Sequence, residues 1–167
     1  MAQCSSCPKI TPLYRSFNAE KSDHFYTSFF SFPDFPFNAG EMAGAASGGY
    51  NPEGVAAAIF PTQLAGSTPL FRLFKASVVD HPYTTSTIEI NTLEAAGYAL
   101  EPTPGYVYTT QICDSVPLYG LFIASHNDHF YTTSLSERSA VIAGGWADLG
   151  VTAYVPLPGI INNGSSC

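Results

Sequence analysis

Asp128-His129-Phe130-Tyr131-Thr132 decides the reading of this chain, because it recurs as Asp23-His24-Phe25-Tyr26-Thr27 and as Asp80-His81-Pro82-Tyr83-Thr84. Upstream of each copy stands a second block: Pro12-Leu13-Tyr14-Arg15, Pro69-Leu70-Phe71-Arg72 and Pro117-Leu118-Tyr119-Gly120. Pro12 to His24, Pro69 to His81 and Pro117 to His129 are each 12 residues apart. Such gap-free agreement makes a repeat the unit of structure.

The third copy is the clearest. Val116 to Ile123 reads as a strand with two apolar faces, Ala124 to Asp128 as a polar turn, and His129 to Thr133 as the second strand of a hairpin. Period-2 alternation puts His129 and Tyr131 on one side and Phe130 and Thr132 on the other. Ser134-Leu135-Ser136-Glu137 is a capping box opening a short helix that Gly144-Gly145 ends. Trp146 follows, then a closing strand from Val151 to Pro156. The second copy runs the same way: strand Leu70 to Lys75, strand His81 to Thr85, box Ser86-Thr87-Ile88-Glu89, Tyr98 in the place of Trp146, and closing strand Gly105 to Tyr108. Pro82 removes an amide, which marks its strand as an edge or a bulge.

The first copy is longer. His24 to His81 spans 57 residues and His81 to His129 spans 48, while His24 to Tyr50 spans 26 where His81 to Tyr98 spans 17. Both differences are 9, so the excess lies between the second strand and the aromatic after the helix. That segment carries Phe29, Phe30, Phe32, Phe35 and Phe37 and no capping box, and reads as an aromatic loop before a weak helix around Glu41 to Ala46. Its closing strand is Val55 to Phe60.

At 167 residues the chain is expected to be a single domain over 1–167, with repeats at about 11–60, 68–110 and 116–157 between cysteine-containing tails. Units of about 50 residues cannot bury two apolar strand faces alone and must share a core. The expected fold is mainly β with short helices (α+β): three β-β-α-β repeats around a pseudo-three-fold axis as a three-bladed propeller-like ring. A β-trefoil is the alternative.

Only 11% of residues are charged, with 46% hydrophobic and a formal net charge of −7. The few basic residues are scattered, which excludes a phosphate-neutralising patch for nucleic acid and disfavours anionic membranes. No apolar run reaches the roughly 20 residues of a membrane span, and no leader is visible at the N-terminus. Cys4, Cys7, Cys113 and Cys167 lie outside the repeated blocks. Their even count favours two disulfides over free thiols or a metal site, without choosing the pairing. Asn163-Gly164-Ser165 is a glycosylation sequon. An extracellular location is expected, with the cytoplasm as the alternative and any leader removed upstream of Met1.

The motif supports three readings. In the first, Asp closes the hairpin turn while His and Tyr are half-buried polar anchors. In the second, Asp23, His24, Tyr26 and Tyr50, Asp80, His81, Tyr83 and Tyr98, and Asp128, His129, Tyr131 and Trp146 line two or three related glycan pockets. There an aromatic face stacks on the sugar ring while carboxylate and imidazole hold its hydroxyls. In the third, His24, His81 and His129 meet at the axis as metal ligands. Catalysis has no support: no nucleophile elbow, zinc-protease helix or phosphate-cradling loop is present. No catalytic residue, metal or cofactor is expected.

The run of Pro-hydrophobic-Tyr-Arg, Asp-His-Phe-Tyr-Thr-Thr-Ser, a Glu-Arg helix start, Ala-Gly-Gly-Trp and Gly-Val-x-x-Tyr resembles a tandem-repeat domain of largely uncharacterised function, found alone in fungi and appended to secreted hydrolases in bacteria. The resemblance spans about residues 10 to 157 and implies a non-catalytic extracellular module that binds glycan or cell-wall polysaccharide. The leading expectation is a lectin-like protein. The alternative is a secreted structural or protein-binding module, such as a protease inhibitor presenting the Phe29 to Phe37 loop.

Overall fold

A computed structural model describes residues 8–28 and 45–156. Cys4, Cys7, Cys167, the Asn163 sequon and the Phe29 to Phe37 loop lie outside the described residues, as does most of the expected helix around Glu41, of which residues 45 and 46 are helical.

The protein is mainly β, antiparallel, with few short helices. The elements are β1 (Thr11–Asn18), β2 (Asp23–Thr27), β3 (Asn51–Ile59), β4 (Ser67–Phe74), β5 (Tyr83–Thr84), α1 (Thr87–Ala95), β6 (Ala99–Tyr108), β7 (Val116–Ile123), β8 (Asp128–Thr132), α2 (Leu135–Ala143) and β9 (Ala147–Val155). Strands β2-β1-β3 form one sheet and β5-β4-β6-β9-β7-β8 the other. Within each repeat the first strand therefore lies between the second and the third. The larger sheet is two such triplets joined at a single residue pair, Tyr108 with Tyr154. A bridge between Phe60 and Tyr106 links the first triplet to the second. The described strands do not close a barrel, so the trefoil alternative does not describe them.

The closing strands begin earlier than expected, at Asn51, Ala99 and Ala147. Their first halves are largely exposed and contain Pro52, Gly54, Pro102 and Gly150, which hide the strand from a reading of apolar alternation. Gly54 and Gly150 take positive φ beside the register shifts of β3 and β9, where the extra residue of a bulge needs that conformation. β5, which begins directly after Pro82, is an edge strand as expected and is two residues long.

Both helices start where expected: Ser86 and Ser134 accept the amides of Glu89 and Glu137. The reverse half of the box is made differently. Ser86 and Ser134 donate their own amides to the Thr84 and Thr132 hydroxyls, 3.0 Å in both cases, so the motif threonine takes the role expected of the glutamate. Glu89 and Glu137 are thereby free for other partners.

The core gathers equivalent residues of the repeats: Leu13, Leu70 and Leu118, and Tyr26, Tyr83 and Tyr131, with Ala57, Ile59, Val107, Ala153 and Val155. Among the described residues no helix is long and apolar enough to cross a membrane.

Candidate functional site

In each hairpin the residue before the motif aspartate is left-handed: Ser22, Val79 and Asn127 have φ of 54, 51 and 52°. The strand that follows enters the interior at once, and Asp23, Asp80 and Asp128 are buried. A buried carboxylate must be met by donors, and here they come from a different repeat. His24 donates its amide and Nδ1 to Asp128, at 2.9 and 2.7 Å. His81 does the same to Asp23, at 3.2 and 2.7 Å. His129 Nδ1 lies 2.9 and 3.0 Å from the two oxygens of Asp80. Repeat one thus leans on three, two on one and three on two, a closed cycle.

The tyrosines repeat this hand-over. The Tyr83 hydroxyl accepts from the Tyr26 amide (2.8 Å) and donates to the Tyr26 carbonyl (2.7 Å). The Tyr26 hydroxyl bridges the amide and carbonyl of Tyr131 at 2.7 and 3.0 Å, and the Tyr131 hydroxyl accepts from the Tyr83 amide at 2.8 Å. The three rings meet edge to face, with centroids 5.3 to 5.6 Å apart, the favoured aromatic geometry. Burial pushes all three phenols up, keeping them protonated as donors. A third cycle joins Ser28 to the Pro104 carbonyl, Thr85 to that of Thr152 and Thr133 to that of Ala56.

The sets expected within single repeats are therefore regrouped across repeats. Junction one holds His24, Asp128 and Trp146; junction two holds His81, Asp23 and Tyr50; junction three holds His129, Asp80 and Tyr98. Trp146 and His129 do not share a site. Tyr50 and Tyr98 donate to the carboxylate of their own repeat, Asp23 and Asp80, the latter at 2.6 Å. Burial and that bond to a carboxylate push both phenols up. Trp146 has no hydroxyl to offer Asp128; its ring lies 6.1 Å from His24 and 5.9 Å from Phe130. Burial pushes the Asp128 carboxyl up, against the pull of its His24 hydrogen bonds.

The imidazoles do not meet as metal ligands. The rings at the centre are tyrosines, and the one potential cation-holding group among the described residues is Asp23, Asp80 and Asp128, with an oxygen of each within 4.8 Å of the others.

Three features escaped the sequence reading. Phe17, Phe74 and Phe122 cover the imidazoles at 4.4, 4.5 and 4.6 Å between centroids. Each stands five residues after its block's proline, so the signal was present. Arg15 pairs with Glu53 (2.7 Å) and, through both terminal nitrogens, with Glu137 (2.9 and 3.2 Å), lying 4.6 Å above the Phe130 ring. Arg72 pairs with Glu101 (2.7 Å) over Phe25 (4.9 Å).

Cys113 is disulfide-bonded, and its partner lies outside the described residues. No curated protein and no solved structure matches the chain. The profile of one family, described as "Domain of unknown function (DUF5648)", matches residues 35–156, which hold the second and third repeats whole and the closing strand of the first. With more than half of its length matched, the chain belongs to that family.

Proposed function

We propose that this is a non-catalytic, lectin-like protein whose three repeats form a three-bladed ring about a pseudo-three-fold axis, with related glycan pockets at the junctions between blades. The observation that carries this reading is the cyclic hand-over of aspartate to imidazole. It spends Nδ1 of each histidine on a carboxylate and leaves Nε2 beside aromatic rings, with Glu53 3.7 Å from that nitrogen at His24. A ring nitrogen set among aromatic faces suits a sugar, whose hydroxyls both donate and accept and whose C–H groups form an apolar face. In this reading the buried aspartates and Tyr26, Tyr83 and Tyr131 position the site, while His24, His81, His129, Tyr50, Tyr98 and Trp146 stand nearest the ligand. The disulfide at Cys113 supports an oxidising, extracellular setting.

A glycan array followed by calorimetric titration tests it. A polymeric ligand engaging two junctions should exceed its monosaccharide by about a hundredfold through avidity. Trp146→Ala should weaken the first junction by about tenfold. Folded protein that binds none of the fungal, bacterial or animal glycans overturns the proposal.

A further inference from the structure

A cleft of about 370 Å³, with none of the motif histidines in its lining, opens between the first and second repeats, lined by Thr11, Ser28, Pro61 and the stretch Thr103 to Tyr106. We infer that this cleft is a second binding site, for an uncharged polyhydroxyl ligand, a neutral sugar ring being the fitting class. No charged residue lines it, and four of its side chains carry hydroxyls: Thr11, Ser28, Thr103 and Tyr106. Its volume is that of a small-ligand pocket.

One of the other two junctions shows that packing alone does not require these hydroxyls, while the second-to-third junction keeps three of them, in Thr68, Thr85 and Tyr154. By strand register, Pro12 faces Ala58, Pro69 faces Tyr106 and Pro117 faces Tyr154, which aligns the cleft residues with their counterparts. Only the Ser28-to-carbonyl bond recurs at all three junctions, in Thr85 and Thr133. Where the first repeat has Thr11, the third has Val116; where the second has Thr103 and Tyr106, the first has Val55 and Ala58. The junction built from Val116, Thr133, Val55 and Ala58 meets the same structural demand with one hydroxyl instead of four. Gly105 adds a floor of bare backbone. A β-carbon there would lie 2.6 Å from the Phe60 carbonyl oxygen and 2.7 Å from Ile59 Cδ1, so close strand packing keeps that wall free of a side chain.

The ligand class rests on the glycan reading above, whereas the location is separate from the histidine junctions. The test titrates cellotetraose, laminaritetraose and chitotetraose into the wild-type protein, the Thr11→Val/Thr103→Val double variant, the rim variant Pro61→Trp and Trp146→Ala, each checked for an unchanged melting temperature. The expected result is a binding phase for at least one tetrasaccharide that falls by about tenfold or more in the valine variant, as the loss of two hydroxyl partners requires, falls in Pro61→Trp, and persists in Trp146→Ala, where only the phase belonging to the first junction weakens. Binding lost only in Trp146→Ala overturns the cleft and leaves the junction reading standing. Binding of none of the three tetrasaccharides likewise overturns the cleft, while the junction reading stands or falls on the glycan array.

Discussion

Junctions one and three are built on the same clasp and finished differently. At each, an imidazole from one repeat is held by a buried aspartate of another and covered by a phenylalanine. At junction one, Arg15 then closes the outside, binding Glu53 and Glu137 across Phe130. At junction three the arginine is replaced by Gly120, the first glutamate by Leu149 and the phenylalanine by Pro82. The consequence is visible in two glutamates that share a helix position: Glu137 is half-buried under Arg15, whereas Glu89 is exposed and bonded to Thr84. The interior clasp is what assembly of the repeats demands, and the exterior is where the copies have been free to diverge.

If that division holds, removing the clasp should cost the same at every junction. Asp23→Ala, Asp80→Ala and Asp128→Ala are each expected to destabilise by about 3–5 kcal/mol, the cost of leaving a buried polar partner set unmet. Urea unfolding measures it. A cost at junction three far below that at junction one would break the comparison, because the clasp would then depend on its arginine cover.

The exterior difference can be reversed by design. A β-carbon on Gly120 would lie 2.6 Å from Thr152 Oγ1 and 3.2 Å from the Tyr131 ring. The counterpart of Thr152 beside Arg15 is Ala56, so the threonine side chain stands where an arginine would have to begin. Gly120→Arg alone is expected to destabilise by about 1–3 kcal/mol through overpacking. Adding Thr152→Ala should recover most of that loss by letting the guanidinium reach Glu89. A double-mutant cycle reads the coupling directly. Simple additivity would mean that junction three never had room for the arginine.

Much of this was legible in the sequence and some could not be. The hairpins and the two capped helices follow from residues at fixed spacing, and Pro82 marked β5 as an edge strand, which its place at the end of the larger sheet bears out. Alternation correctly put His129 and Tyr131 on one side, and their rings lie parallel with centroids 6.4 Å apart. It could not say that Asp80 and not Asp128 holds His129, because spacing along a strand carries no information about which neighbouring repeat lies against it. Assigning Trp146 to the same pocket as His129 failed for that reason. The exposed beginnings of β3, β6 and β9 were missed on a different ground. Their pairing is made by the backbone against β1, β4 and β7, while their side chains face solvent and leave no apolar pattern.

The smallest effect expected separates two carboxyls of junction one by the sign of their pH dependence. Burial is the largest influence on Asp128 and, with the nearby charge of Asp23, outweighs the His24 hydrogen bonds, so its folded carboxyl titrates above the ordinary 3.8. Such a group favours the folded state fully below its unfolded value, and that contribution is lost as pH rises through the folded value. Burial acts the same way on Glu137, but the hydrogen bonds from Arg15 and Thr132 and the Arg15 charge prevail and hold it below the ordinary 4.5. Its contribution is present above the unfolded value and lost as pH falls through the folded one. In urea unfolding between about pH 3 and about pH 7, the advantage of wild type over Asp128→Asn should therefore grow in acid, and that over Glu137→Gln should shrink. Trp146→Tyr sharpens the point: it would offer Asp128 the hydroxyl that Asp23 takes from Tyr50 and Asp80 from Tyr98, and should reduce the acid advantage. An advantage over Asp128→Asn that shrinks in acid would mean that His24 alone satisfies the carboxylate, and that exchanging tyrosine for tryptophan at junction one has no electrostatic consequence.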